Sequence, residues 1–207
     1  KKENNNWVVG SKPDEKNKNP MRCGNFREAL NSKPLFVYGT HGSKKENEWA
    51  FEKVNNDAER IWYRGNSSIE IIRDDEFDLE KYKDRSVILF GNSKTNSAWN
   101  KLLGNSPVQV DGKKIKIGDK EFSGKDFACL FIRPRVDSKT AYVAAVSGTG
   151  IDGMMLANFT QYHEQYMGIS DIVVYNSDIL KSDESGVKFA GYFGNDWSVE
   201  KGEFIIQ

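Results

Sequence analysis

The chain has 207 residues, a length suited to one large domain or to one domain with a small appendage. Hydrophobic residues make up 38% and aromatics 12%, enough for a packed core, so disorder is expected only near the ends. Lysine plus arginine balances aspartate plus glutamate, 30 against 30, which argues against nucleic acid as a partner because phosphate contacts favour a basic surplus.

Residues 1–6 form a charged, asparagine-rich lead with no initiator methionine, so the chain is expected to continue from a preceding segment. Trp7, Val8 and Val9 suggest a short strand, and a lysine-, asparagine- and proline-rich connector follows through Pro20. Such a connector marks a domain boundary, giving residues 1–24 as a strand and linker from a preceding domain and 25–207 as one α/β domain. Trp7, Val8 and Val9 have no obvious partner strand in a closed α/β domain, so they are expected to pack against polypeptide outside it.

A helical turn or two is expected at 26–30, then a strand at 35–38. The clearest helix spans 43–64: Ser43 caps it, Glu46 completes a capping box, and Ala50, Val54, Ala58, Ile61 and Trp62 recur on one face. Gly65 stops it. A strand at 69–72 precedes an acidic segment over 74–84, and a strand at 87–90 leads to a short helix at 97–103.

From Pro107 the pattern alternates around Asp111-Gly112 and Gly118-Asp119, predicting a β-hairpin insertion over about 107–122. Apolar runs at 127–132 and 142–146 are core strands joined closely enough to pair antiparallel, which makes the sheet mixed. A helix over 152–167, a strand at 172–175 and a closing strand at 187–193 complete the reading. The expected fold is a flavodoxin-like or Rossmann-like three-layer α/β sandwich with a mostly parallel or mixed sheet.

Three of these strands stop at glycine-rich polar loops that open onto helices. The first carries Gly39, Thr40, His41, Gly42 and Ser43. The second carries Gly91, Asn92, Ser93 and Asn96, and the third Ser147, Gly148, Thr149 and Gly150. Ligands of open α/β sheets sit outside the carboxyl ends of the strands, where free amides and helix N-termini attract anions. If the three strands are parallel neighbours, the loops share one edge and could frame a site for a nucleotide or other small anion. The competing reading is that the glycines only turn chain into helix.

Residues 148–153 match the dinucleotide fingerprint, with Asp178 the residue available for the ribose, but little chain remains for the other half of such a domain. No cofactor is expected. Ser93, Asp152 and His163 follow the chain order of a hydrolase triad, yet the closing glycine of a nucleophile elbow is missing and His163 is expected within a helix. The isolated chain is therefore expected to be catalytically silent. Two distant histidines and two cysteines, Cys23 and Cys129, make no recognisable metal site or disulfide framework, and the acidic run from Asp74 to Glu80 lacks the glycine of a calcium loop. No apolar stretch approaches the length of a membrane span.

Several segments in order carry a resemblance. They are Trp7 to Pro13, Cys23 to Leu30, Pro34 to Thr40, Trp62 to Gly65, Ile88 to Asn96, the glycines at 112 and 118, Tyr142 to Gly148, and Gly191 to Trp197. Together they resemble the region just downstream of the catalytic domain in certain bacterial prolyl-oligopeptidase-like α/β hydrolases. The sequence around Asn25 and Phe26 departs from the Gly-Pro-Ile of that pattern, and the third loop is richer in glycine. The resemblance implies a non-catalytic C-terminal accessory domain that docks on, or shapes access to, an upstream hydrolase domain of the same polypeptide. It also implies a periplasmic or secreted location. A small-ligand module using the three loops and a weak independent serine hydrolase are the alternatives.

Overall fold

The computed structural model describes residues 2–10, 14–31, 33–164, 168–181 and 183–207. In chain order, β1 (Lys2–Glu3) and β2 (Asn6–Trp7) pair only with each other. After a 3-10 turn, Phe26–Leu30, come β3 (Leu35–Tyr38), α1 (Lys44–Gly65), β4 (Glu70–Arg73), β5 (Val87–Phe90) and α2 (Ala98–Leu103). A separate antiparallel sheet follows, made of β6 (Val108–Val110), β7 (Lys114–Ile117) and β8 (Lys120–Ser123). The remaining elements are β9 (Ala128–Pro134), β10 (Tyr142–Gly148), α3 (Gly150–Leu156), β11 (Ile172–Tyr175), α4 (Asp183–Gly186), β12 (Val187–Tyr192) and β13 (Glu203–Ile206).

The main sheet has eight strands in the order β13-β12-β11-β9-β10-β5-β3-β4. Its two halves differ. From β10 to β4 every pair is parallel, whereas from β10 to β13 every pair is antiparallel. The central strands are buried on both faces, which is why β5 and β10 read as unbroken apolar runs rather than alternating ones.

The three-layer α/β sandwich is not what forms. Thirteen strands are present among the described residues, with one long helix of 22 residues and α2, α3 and α4 of only 6, 7 and 4. The two faces of the sheet are covered unequally. Tyr38 and Phe90 lie in one row of the sheet, and Tyr38 packs edge-on against Phe51 of α1. Phe131 lies in the opposite row and receives Trp99 of α2, while Phe189 on that same side meets Phe122 of β8. One face thus carries helix, and the other carries a short helix and a second β-sheet. Antiparallel pairs need no crossover helix, so the half from β9 to β13 removes the demand for helical layers.

Other expectations shift in detail. The insertion is a three-stranded sheet rather than a hairpin. The helix expected over 152–167 ends at Leu156 and passes through the 3-10 turn Ala157–Phe159, after which Tyr162 is buried against α1 by donating to Asp57 at 2.6 Å. Residues 165–167 of that expectation lie outside the described residues. On α1 the capping box of Ser43 and Glu46 forms, and Asn66 in the left-handed region closes the helix after Gly65. Ala50 and Val54 are buried as expected, but Trp62 is exposed because α1 outruns the sheet beneath it. Val8 and Val9 lie outside any strand, and β13 is an edge strand beyond the expected closing one.

Candidate functional site

Strands β3, β5 and β10 are adjacent and parallel, so the loops after Tyr38, Phe90 and Gly148 emerge at one edge of the sheet. Because β3 feeds α1 on one face and β5 feeds α2 on the other, the chain diverges between these two strands. That divergence is the topological switch point where open sheets usually hold ligands.

Here the protein's own side chains fill the divergence. Asn96, buried, donates through Nδ2 to the carbonyls of Val37 (3.0 Å) and Phe90 (3.1 Å), and its Oδ1 accepts from the amide of Ala98 at 3.1 Å. It caps both strand ends and starts α2. The His41 amide donates to the carbonyl of Thr95 at 3.0 Å, and Gly39 is needed there, since a Cβ would stand 2.4 Å from that same oxygen. Asn92 donates to the carbonyl of Gly148 at 3.0 Å, linking the second loop to the third.

The third loop is equally closed. Thr149 Oγ1 accepts from the amide of Phe127 at 3.0 Å, and the Thr149 amide donates to the Phe127 carbonyl at 2.9 Å. The fingerprint glycines serve packing: a Cβ on Gly148 would lie 2.3 Å from the carbonyl carbon of Gly153, and one on Gly153 would lie 2.2 Å from Phe127 O. The Gly153 amide donates to Lys125 O at 3.1 Å, so this fingerprint amide, like that of Thr149, is already bonded within the protein. Asp178, the residue available for the ribose, faces Lys181 at 3.1 Å and Lys188 at 3.8 Å instead. Gly150 turns into α3 at φ 63°, and Ser147 Oγ is buried without a hydrogen-bond partner.

Thr40, His41, Gly42 and Ser43 remain at the outer rim, and they meet a residue that sequence reasoning passed over. Asp74, just past β4, is fully buried and accepts from Thr40 Oγ1 at 2.7 Å, from His41 at Nδ1 at 3.0 Å and from the amide of Ser97. The carboxylate thereby places the imidazole proton on Nδ1 and turns Nε2 outward, the arrangement that orients a histidine base. Neither Ser43 nor Ser93 completes it. Ser43 is engaged with Glu46, and the Ser93 amide is bonded to Val110 of β6, on the face opposite α1. Asp74 therefore ties the ends of β3 and β4 to the start of α2. In the sequence it lies in an acidic run that reads as solvated, and its position one residue past a strand is the only signal of its role.

The alternative triad is not assembled. His163 is buried beside α1, in a small polar cavity of about 180 Å³ shared with Lys53, Asp57 and Arg60, whereas Asp152 is exposed on α3. Desolvation lowers the His163 pKa, and both of its ring nitrogens lack hydrogen-bond partners. Among the described residues no group of three or more His, Cys, Asp or Glu could hold a metal ion, and no helix is long and apolar enough to cross a membrane. Cys23 is exposed and Cys129 is buried, and both are free thiols. No protein-family model matches the chain, and no curated protein matches it.

Proposed function

We propose that the chain is a non-catalytic accessory domain that docks on a hydrolase domain of the same polypeptide. The reading rests on the resemblance to the region downstream of prolyl-oligopeptidase-like catalytic domains, and a periplasmic or secreted setting is what that resemblance implies. One observation carries the reading: at the strand ends, where an α/β enzyme arranges its chemistry, Asn92, Asn96, Thr149 and Asp74 are committed to bonds within the protein. They hold the loops together and leave no open cradle between them. The same closure speaks against a nucleotide site there. The docking element is the arm of residues 6–9, where Trp7 is 82% exposed and Val9 is fully so.

Hydrogen exchange of residues 6–9, compared between the 207-residue chain and the longer polypeptide carrying the hydrolase domain, tests the docking. Protection of these amides in the longer polypeptide, lost in a Trp7→Ser variant, is the expected result. Equal exchange in both would end the docking reading. Stoichiometric labelling of Ser93 by a serine-reactive phosphonate, abolished in His163→Ala, would overturn catalytic silence.

A further inference from the structure

At the edge opposite the three loops, where β9 ends and β10 begins, a cleft of about 1300 Å³ opens beside the N-terminal segment, with Arg22, Arg133, Arg135 and Trp197 in its walls. Arg135 is neutralised. Its Nε and Nη2 donate to the two carboxylate oxygens of Asp137 at 2.9 and 2.5 Å, and its Nη1 donates to the carbonyls of Tyr82 and Arg85. The other two guanidiniums have no such carboxylate partner among the described residues, and Asp171 and Glu200 act on Arg133 only from beyond ion-pair distance.

Arg22 is only 4% exposed; its Nη1 donates to the carbonyls of Ser138 (2.7 Å) and Arg135 (3.3 Å), and its Nε has no partner. Arg133 donates to the carbonyl of Trp197 at 2.6 Å and lies 4.5 Å from the centre of the Phe193 ring. Among the described residues neither forms an ion pair with a carboxylate. Burial lowers the pKa of both, that of Arg133 to about 10. Trp197, 2% exposed, has an indole Nε1–H that is also without a partner.

Buried cations are ordinarily paired, and an orphaned buried donor in a native protein points to an acceptor such as a water or an ion. Two residues with orphaned donors, and two guanidiniums without an ion-paired carboxylate among the described residues, border one cleft. We propose that this cleft binds an organic monoanion, a carboxylate carried on a partly apolar body, which Arg22 and Trp197 recognise by hydrogen bonds and Arg133 by charge. With Nη1 occupied, the remaining Nε/Nη2 edge of Arg22 is the one that takes a carboxylate side-on. The cleft lining carries six cationic and five anionic side chains, a surplus of one positive charge that suits a monoanion better than a dianion such as phosphate. Pro134, Val136 and the Trp197 ring supply apolar wall, and the volume exceeds what a bare carboxylate fills. This site is independent of the docking reading, because it lies on other residues.

Both orphaned donors are screened from solvent, so a ligand oxygen reaches them only with a small side-chain shift that is itself a readout. The test is a titration followed by the Trp197 indole and Arg22 Nε–H resonances. The probes are acetyl-Ala-Ala-Phe with a free carboxylate, its C-terminal amide, and inorganic phosphate. Saturable shifts of both resonances with the free acid, absent with the amide and phosphate, are expected. Arg22→Lys should weaken binding about tenfold by removing the bidentate edge while keeping the charge. Arg22 also holds the 135–138 carbonyls, so Trp197→Phe provides a second variant, which loses one donor and keeps a ring, with weaker binding expected. Absence of saturable shifts, equal binding of the amide, binding of phosphate alone, or unchanged affinity in Trp197→Phe would each overturn the proposal.

Discussion

At the edge where β3, β5 and β10 end, Asn92, Asn96, Thr149 and Asp74 find partners within the protein, and the glycines among them allow backbones to touch. At the opposite edge Arg22 and Trp197 are buried to a similar degree yet keep donors unpaired. Both edges are rich in polar residues. Amides, hydroxyls and short carboxylates sit within reach of neighbouring backbone, whereas a guanidinium has five donors to fill, and Arg135 fills them with the help of Asp137 while Arg22 has no such carboxylate among the described residues. Glycine-rich loops at strand ends therefore do not by themselves mark a site. Incomplete pairing of a buried cation is the more discriminating sign.

The contrast breaks most readily at Asp171, which fastens the second edge. Its buried carboxylate accepts from Lys18 Nζ at 2.6 Å, from the amide of Asn25 at 2.9 Å and from the amide of Phe193 at 3.0 Å. Asp171→Ala leaves two amides without their acceptor and Lys18 with only the Phe193 carbonyl as acceptor, and should cost about 3 kcal/mol, read from the urea midpoint. It should also speed proteolysis before Phe26. A loss below about 1 kcal/mol would mean the N-terminal segment is held by other contacts.

At the first edge the equivalent lesion is Asn96→Ala. Two strand-end carbonyls and the Ala98 amide lose their partner in a buried place, so a cost of about 2 kcal/mol is expected. Ser93→Ala, which touches none of these three bonds, should stay within about 0.5 kcal/mol. Equal effects of the two would show that the edge is not held by Asn96.

Much of the parallel half was legible in the sequence, because Leu35 to Tyr38 and Val87 to Phe90 are unbroken apolar runs followed by helix caps. The antiparallel half was read less well. Phe204, Ile205 and Ile206 make Glu203 to Ile206 a short apolar run that the reading left out, and its place as an edge strand is set by pairing with β12, a tertiary effect that local reading does not reach. The common edge of the three loops followed from strand order, but whether the edge was open depended on side-chain partners far apart in sequence, such as Asn92 with Gly148. For the same reason Asp74 was hidden in its acidic run, and Arg22 and Trp197, 175 positions apart by subtraction of their numbers, gave no joint signal.

His163 sharpens the comparison from a third place, the face covered by α1. Its ring is buried among Lys53, Asp57, Arg60 and Glu164, and desolvation outweighs the attraction of Asp57 and Glu164, so the folded pKa is below the ordinary 6.5. The unfolded chain then binds the proton more readily, and stability falls as pH drops below about 6.5 until the folded pKa is reached. Melting temperatures at pH 7.5 and 5.5 should show this loss, and His163→Phe should flatten it. A flat profile in the parent protein would indicate that the ring is paired or hydrated in solution.

The smallest effect belongs to Ser147, whose buried hydroxyl at the first edge has no hydrogen-bond partner among the described residues. Its Oγ is buried in β10 and makes no hydrogen bond, although both neighbours in the chain are buried and ordered within the strand. Removing a hydroxyl that has no partner forfeits no bond and relieves the desolvation of a polar group, so Ser147→Ala should leave stability unchanged or raise it by up to about 1 kcal/mol. The gain should appear as a higher denaturant midpoint with an unaltered slope, since the exposed surface on unfolding stays the same. A loss of more than about 1 kcal/mol would instead mean that Ser147 has an acceptor or a bound water in solution. In that case the first edge would share with the second the character of a place prepared for something else, and the contrast between them would narrow.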